Sequence, residues 1–219
     1  MNRTLSGNMK LSRHPILWIC EILSLYQHWN CLSSSASINF SRYRYKPHSF
    51  KDERESFYIS INELDKSSIF DLLVNLEDDQ ELALSSTIYD LGSEYHFPLI
   101  DFGGKDSKLL ESTFIDFCSY WDMEFQVYSS GRSFHAYGNK ILTSSEWIKF
   151  MGSLLLLNIP GASKIIDDRW VGHRILAGYS SLRWSKNTSQ YKKYPTYIGL
   201  INATGFHGSR DGDIFKKHY

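Results

Sequence analysis

The most constraining feature of the sequence is a series of three short apolar runs that each end in a polar cluster. The first run ends at Asp101, the second carries Ser133 and His135, and the third ends at Asp167 and Asp168. Successive clusters are about thirty residues apart, which is the length of one supersecondary unit. Because polar groups at the ends of neighbouring strands meet at one edge of a sheet, the pattern predicts a single site there.

The intervals between these runs predict the other elements of the fold. Residues 105–122 and 143–157 have helical periodicity, and Ser144 is the predicted N-cap of the second helix. Residues 125–130 alternate with a period of two, and Gly131 turns the chain into a second strand, so a hairpin is expected. The order strand, helix, hairpin, helix, strand predicts an α+β fold, an antiparallel sheet with helices on one face.

The N-terminal third gives weaker signals. The run "HPILWICEILSLYQHW" predicts an amphipathic helix that begins near Pro15 and is too short to cross a membrane. The serine-rich residues 31–56 predict a loop with a short strand, and residues 67–91 have helical periodicity. We therefore expect a single domain over residues 1–219, with a helix-and-loop appendage at 1–50 and the core at 51–219.

Charge and cysteine content narrow the class of protein. Lysine plus arginine equals aspartate plus glutamate, at 24 each, but basic residues dominate after Gly161. This asymmetry is typical of a polyanion-binding face on a neutral protein, although solvated surface charge produces the same pattern. The cysteines Cys20, Cys31 and Cys118 form no C-x-x-C pair, which argues against a disulfide scaffold or a thiolate zinc site and favours the cytoplasm.

Three motifs, "FPLIDFGG", "SGRSFHAYG" and "IIDDRWVGHRILAGYSSLRWSKN", resemble those of the archaeo-eukaryotic primase (primase-polymerase) superfamily. That superfamily has an apolar strand ending in Asp-x-Asp, then Ser-x-His on a hairpin, then an aspartate followed by a basic, serine-rich trail. The resemblance runs from Phe97 to Asn187 and is closest to small bacterial primase-like proteins. It implies a primase-type catalytic core with an RRM-like antiparallel sheet flanked by helices.

The resemblance also implies roles for individual residues. Asp101, His135 and Asp168 would be catalytic, and Asp101 with Asp168, or with Asp167, would hold Mg²⁺ or Mn²⁺, because hard cations prefer carboxylate oxygens. Asp168 is preferred over Asp167 because it fits better against the basic trail. The residues expected to bind nucleotide or phosphate are Arg132, Ser133, His173, Arg174, Ser181, Arg183 and Lys186.

One position departs from the motifs and leaves the function open. Gly103 replaces the second carboxylate of the first motif, and Asp106 lies too far along to share the strand face of Asp101. One hypothesis is template-dependent nucleotidyl transfer from nucleoside triphosphates. The alternative is a degenerate primase-like module that binds nucleotide or nucleic acid in a larger assembly, as in replication, a mobile element or antiviral defence.

The expected partners are nucleoside triphosphates, single-stranded DNA or RNA, and a helicase, nuclease or polymerase, without a membrane. A purely structural or interaction role is a third hypothesis. Each motif also has a structural interpretation: Asp101 could cap a turn, Ser133 and His135 could bond across strands, and Asp167 or Asp168 could cap a helix. Only their joint order favours a nucleotide site.

Overall fold

A computed structural model describes residues 11–46, 53–104, 107–131, 133–191 and 193–208 of the chain, with only the backbone described at residues 107–111. The described residues form five α-helices: α1 Ile16–His28, α2 Lys66–Val74, α3 Ser107–Trp121, α4 Ser144–Leu154 and α5 Asp168–Ala177. The strands are β1 Ser37–Arg44, β2 Glu53–Ser60, β3 Glu81–Asp90, β4 Ser93–His96, β5 Leu99–Asp101, β6 Phe125–Ser129, β7 Phe134–Gly138, β8 Leu142–Thr143, β9 Ser181–Arg183, β10 Thr196–Asn202 and β11 Gly205–Gly208.

The first sheet has the antiparallel order β2-β1-β3-β4-β8, and β9 pairs with the first half of β3. Its core face carries alternate apolar residues such as Ile38 and Phe40 of β1, which lie beside Ile59 and Phe57 of β2. Helices α1 and α2 contribute their buried faces to the same apolar core. Alternation with a period of two thus assigns one face to the core and leaves the other face for the site.

The second sheet has the antiparallel order β11-β10-β6-β7-β5. Its core is aromatic, with Phe114 and Phe117 of α3 and Phe150 of α4 in contact with Phe125 of β6. Helix α5 joins the same core through Val171. Burial of several large rings in one cluster is a major source of stability, because each ring removes a large apolar area from water.

The chain passes between the two sheets twice at one end of the β5–β7 pair, where the start of β5 lies beside the end of β7. Strand β4 of the first sheet continues into β5 of the second, and β7 of the second sheet continues into β8 of the first. The hairpin turn between β6 and β7 is closed by a hydrogen bond from the N–H of Ser130 to the carbonyl of Ser133, and Gly131 has a φ of 117° there. A cleft therefore lies where the two sheets and α5 meet.

Several predictions from sequence are confirmed. The fold is α+β with antiparallel sheets, and the helix near Pro15, the two central helices and the β6–β7 hairpin lie where expected.

The N-cap of α4 is Thr143 and not the predicted Ser144. Thr143 Oγ1 accepts from the N–H of Glu146, and the Glu146 carboxylate accepts from the N–H of Thr143 at 2.8 Å. This reciprocal pair satisfies two otherwise orphaned donors.

Other predictions need correction. The strand expected within the serine-rich loop is the eight-residue strand β1, which is longer than expected and pairs on both sides with β2 and β3. The helical periodicity ends at Val74, and residues 81–90 form the ten-residue strand β3. The structure has two sheets where a single sheet was expected.

Within the described residues, no helix combines the length and the apolar character that crossing a membrane requires.

Candidate functional site

The cleft between the sheets has a volume of about 830 Å³ and collects most of the predicted site residues. Its walls come from β5, the β6–β7 hairpin, α5 and β9, and from the ends of β1 and β2. The predicted site residues that line it are Asp101, Ser133, His135, Asp167, His173, Arg174, Ser181 and Arg183. The sheet arrangement therefore brings together in one cleft side chains that are as far apart in sequence as Asp101 and Arg183.

Two aspartates that line the cleft lie on adjacent backbone segments. Asp101 is the last residue of β5, and the N–H of Asp167 donates to its carbonyl at 3.3 Å. The next residue, Phe102, forms an isolated β-bridge with Ile166. This backbone pairing is what carries Asp167 to the position where Asp101 ends its strand.

His135 lies opposite Asp101 in the β5–β7 register. Its Nε2 is 3.8 Å from Asp101 Oδ1, and its Nδ1 is buried with no hydrogen-bond partner among the described residues. Burial lowers the pKa of His135 to about 3, and the charge of Arg183 acts in the same direction. The imidazole is therefore neutral near pH 7 and keeps one donor and one acceptor nitrogen.

Two buried guanidinium groups give the cleft positive charge in addition to its carboxylates. Arg174 of α5 donates from Nη1 to Ser181 Oγ at 2.9 Å and lies over the ring of Tyr179. Arg183 of β9 is 5% exposed and donates to the carbonyls of Ser130, Ser185 and Lys193. The described partners of Arg183 are thus carbonyl dipoles and not a carboxylate, so its positive charge is oriented without being neutralised.

Aromatic side chains that the sequence reasoning missed complete the cleft. The Arg183 guanidinium lies 4.0 Å from the ring centroid of Tyr191, and Arg54 lies 4.4 Å from that of Tyr43. Tyr43 and Tyr191 are hydrogen-bonded through their side chains, and burial raises the pKa of both hydroxyls, which stay neutral. Tyr45 lies beside Tyr191 at a centroid distance of 6.5 Å. The signal was the "YRY" run, whose first two residues end β1 and whose third, Tyr45, follows it, in a segment that was expected to be a loop with a short strand.

Two predicted site residues, Asp168 and Lys186, do not line the cleft, and a third lies outside the described residues. The carboxylate of Asp168 accepts from Lys164 Nζ at 2.6 Å, and its side chain is not part of the cleft wall. Lys186 lines a separate groove of about 310 Å³. Arg132 lies outside the described residues. Asp167, the less favoured of the two aspartates, is the one that lines the cleft, where its Oδ1 also caps α5 by accepting from the N–H of Trp170 at 2.9 Å.

The side chains of the site could hold at most one divalent cation, and a bound phosphate would have to supply some of the oxygen atoms that coordinate it. No group of three His, Cys, Asp or Glu side chains suited to a metal ion occurs in the described part of the chain. Asp101 and Asp167 supply two carboxylates on adjacent backbone segments, and hard cations accept such oxygens together with those of a phosphate. The residues present therefore fit a phosphate-bridged cation but not a cage built by protein alone.

Gly103 is required by backbone packing. A Cβ at this position would lie 3.1 Å from the amide nitrogen of Asp167 and from the carbonyl carbon and oxygen of Ile166. The N–H of Gly103 donates to the carbonyl of Ile165 at 2.9 Å, so the two segments are held close together. The residue that replaces the family's second carboxylate is thus the one that lets Asp167 approach Asp101.

We expect Gly103→Ala and Gly103→Asp each to lower the free energy of unfolding by about 1–3 kcal/mol, because backbone atoms must move to admit the new Cβ. Urea denaturation measures the change. Gly172→Ala in α5 is the matched control, since its Cβ would meet nothing within 4 Å, and an unhindered helical alanine is about 0.5–1 kcal/mol more stable than glycine. Equal stabilities for Gly103→Ala and wild type would contradict the packing role.

Glu81 fixes the segment that follows β9. Its side chain is fully buried, accepts from the Ser185 hydroxyl, and accepts from the N–H groups of Asn187 at 3.0 Å and Thr188 at 2.7 Å. The Ser185 carbonyl in turn accepts from Arg183. The carboxylate thereby orders the chain between the buried arginine and the tyrosine that covers it.

We expect Glu81→Gln to lower the free energy of unfolding by about 2 kcal/mol, because an amide cannot replace a carboxylate that accepts three hydrogen bonds. Thermal denaturation monitored by circular dichroism measures the loss. The control is Glu77→Gln, whose side chain is exposed and pairs with Arg44, and for which a change of under about 0.5 kcal/mol is expected. Indistinguishable melting curves for the two variants would show that the buried carboxylate is dispensable.

With this geometry in place, comparison with known proteins identifies the class. Residues 60–196, more than half of the 219-residue chain, match the family model described as archaeo-eukaryotic primase 1D-like. The chain therefore belongs to this archaeo-eukaryotic primase-like family, which confirms the resemblance seen in the motifs. No curated protein and no solved structure matches the chain.

Proposed function

We propose that the cleft binds a nucleoside triphosphate. The observation that carries this proposal is the pair of buried guanidinium groups, Arg174 and Arg183, in the same cleft as Asp101 and Asp167. Arginine presents a planar fork of donors that suits phosphate oxygens, and burial strengthens its attraction for an anion. The described partners of Arg183 are neutral, so a polyphosphate would supply its countercharge.

The other wall of the cleft suits the nucleoside part of the ligand. Tyr43, Tyr45 and Tyr191 form a connected group of rings at the ends of β1 and β2. Aromatic rings stack on nucleobases with little regard to sequence, at about 1–3 kcal/mol per base. The neutral His135 and Ser133 line the same cleft, where they would hydrogen-bond the phosphates or the sugar.

Hydrogen–deuterium exchange would locate the ligand. Addition of a nucleoside triphosphate is expected to slow exchange in the β6–β7 turn, in α5 and in β9, because these elements carry the phosphate-side residues. Protection confined to the groove around Lys186 would place the ligand elsewhere and refute the assignment. Inorganic triphosphate in a parallel sample should protect α5 and β9 but not β1.

A second candidate function is template-dependent nucleotidyl transfer, and the pairing of Asp101 with Asp167 favours it. A divalent ion, Mg²⁺ or Mn²⁺, would supply charge neutralisation and activation of a 3′ hydroxyl when bound. Asp101 and Asp167 would hold that ion, and Arg174 and Arg183 would orient the triphosphate. The protein would then use single-stranded DNA or RNA as a template.

Primer synthesis with labelled nucleotides on a single-stranded template tests this activity. Asp101→Asn and Asp167→Asn are each expected to reduce product at least about 100-fold, the loss typical of a group that stabilises transition-state charge. Asp168→Asn is the control, because Asp168 pairs with Lys164 and does not line the cleft. Triphosphate binding without synthesis would support the binding function alone, as in a degenerate module.

Both candidates treat the chain as one functional unit, because the cleft takes residues from both sheets. A cytoplasmic location, a helicase, nuclease or polymerase partner, and a role in replication or antiviral defence stay predictions of the family resemblance. Co-purification of the chain with proteins encoded beside it is the direct assay for such a partner.

A further inference from the structure

Trp170 of α5 connects the two sheets beside the cleft. Its side chain lines the cleft and is partly buried. Among the partly buried apolar side chains that the structure describes, it is the one that packs against both the core of the first sheet and the aromatic core of the second. The position of α5 relative to the first sheet therefore depends on this side chain.

Two hydrogen bonds from Trp170 reach two parts of the site. Its backbone N–H donates to Asp167 Oδ1 at 2.9 Å, and its indole Nε1 donates to the carbonyl of Ser181 in β9 at 3.2 Å. The first bond orients one of the two cleft carboxylates. The second bond ties α5 to β9, a strand that pairs with β3 of the first sheet.

Ser181 links Trp170 to Arg174. The Ser181 hydroxyl accepts from Arg174 Nη1 at 2.9 Å while its carbonyl accepts from Trp170, so one residue of β9 receives two hydrogen bonds from α5. The two donors are four residues apart in α5, which places them on the same side of the helix. A shift of Ser181 relative to α5 would therefore move the guanidinium that we assign to the phosphates.

We infer, on the basis of the proposed function, that Trp170 is a positioning residue that acts through Ser181 and holds Arg174 in the geometry that binds a triphosphate. Two other roles are distinct from this one. In a direct contact, the indole ring would stack on the base of the ligand. In a purely structural role, Trp170 would change the stability of the fold and leave the affinity of the folded chain unchanged.

Titration of Trp170→Phe with a nucleoside triphosphate tests the inference. Phenylalanine keeps an aromatic ring and the backbone N–H that donates to Asp167, but it loses the indole donor to Ser181. The dissociation constant is expected to rise about 5- to 10-fold, as for the loss of one hydrogen bond. Trp121→Phe is the matched control, because it removes an indole donor to Ser153 Oγ at 3.0 Å outside the cleft and should bind like wild type.

The same change in an Arg174→Met background separates the three roles. If Trp170 acts through Arg174, Trp170→Phe changes the dissociation constant of that variant by less than about twofold. An undiminished effect in that background would show that Trp170 contacts the ligand itself, and equal binding by Trp170→Phe and wild type would leave it a structural role. Either result overturns the inference.

Two further observations keep the test decisive. Trp170→Tyr, which also lacks the indole donor, takes the place of Trp170→Phe if circular dichroism shows that the phenylalanine variant is unfolded. A wild-type chain that binds no triphosphate would refute the proposed function and the positioning role with it, whereas binding by wild type that Trp170→Phe leaves unchanged would refute the positioning role alone.

Discussion

Changing Arg174 to methionine is expected to weaken the binding of a nucleoside triphosphate by about 30- to 100-fold, because a charge-assisted hydrogen bond to phosphate contributes about 2–3 kcal/mol. The guanidinium is nearly buried, lies against Ser181 and Tyr179, and lines the cleft. Methionine keeps much of the side-chain volume while removing the charge and the donors. Fluorescence titration with a labelled triphosphate measures the change in affinity.

Two further variants make the result specific to this site. Arg174→Lys keeps the positive charge but loses the planar fork, so an intermediate affinity is expected. Arg42→Met removes an arginine that lies outside the cleft, beside Glu55 and the ring of Phe57, and should bind like wild type. If Arg174→Met folds normally and binds as tightly as Arg42→Met, Arg174 is not a phosphate ligand.

Acidification from pH 7 to pH 5 is expected to lower the free energy of unfolding by about 6 kcal/mol through three buried histidines, namely His135 of the cleft and also His14 and His96. Burial lowers the pKa of His14 and of His96 to about 4 each. Both side chains are held in the folded state as neutral rings: His14 Nε2 lies 3.1 Å from the Trp184 carbonyl, and His96 stacks on Trp147.

The sign of this effect follows from the folded and unfolded pKa values. The unfolded chain takes up a proton on each of the three histidines below about pH 6.5, whereas the folded chain does so only near pH 4 for His14 and His96 and near pH 3 for His135. Stability is thus fully present above pH 6.5 and falls by about 1.4 kcal/mol per histidine for each pH unit until the folded pKa is reached. Urea denaturation at pH 7, 6 and 5 measures the slope, and His14→Gln should remove about a third of it. A slope that is the same in His14→Gln as in wild type would contradict the assignment to buried neutral rings.

The sequence predicts much of the cleft because the site follows strand ends. Apolar runs that stop at Asp101 and at Ile166, and a hairpin that carries His135, are patterns of local hydrophobicity, and the structure brings them to one cleft. The choice between Asp167 and Asp168 was beyond such reasoning. The two residues differ only in which one caps α5 and which one begins its first turn, and that depends on where the backbone bridge to Phe102 ends.

The first sheet was harder to predict for a related reason. Strand β1 carries two serines, an asparagine and two arginines among its eight residues, so its composition resembles that of a loop. Strand β3 is buried almost throughout, so its continuous apolar and small residues merge with the helical pattern of α2. The tyrosines of the cleft were missed together with β1, because their position depends on pairing between strands that are far apart in sequence.

The geometry of the cleft favours a ligand-binding function over catalysis by a metal ion that protein side chains alone would hold. The described wall supplies two carboxylates, and at Gly103 a side chain would crowd the backbone of Ile166 and Asp167, 3.1 Å from its Cβ. The arginines, by contrast, are buried and oriented by hydrogen bonds to carbonyl groups and to a serine hydroxyl. Triphosphate binding is therefore the function that we propose for this chain.

Calorimetric titration of the wild-type chain with a nucleoside triphosphate, its monophosphate and the free nucleoside tests the central claim most directly. We expect saturable binding of the triphosphate, at least tenfold weaker binding of the monophosphate and weaker binding still of the nucleoside, because buried arginines recognise the phosphate chain. Affinity for the triphosphate should also fall as salt is raised. Equal affinities for triphosphate and nucleoside, or no saturable heat with any of them, would contradict the account.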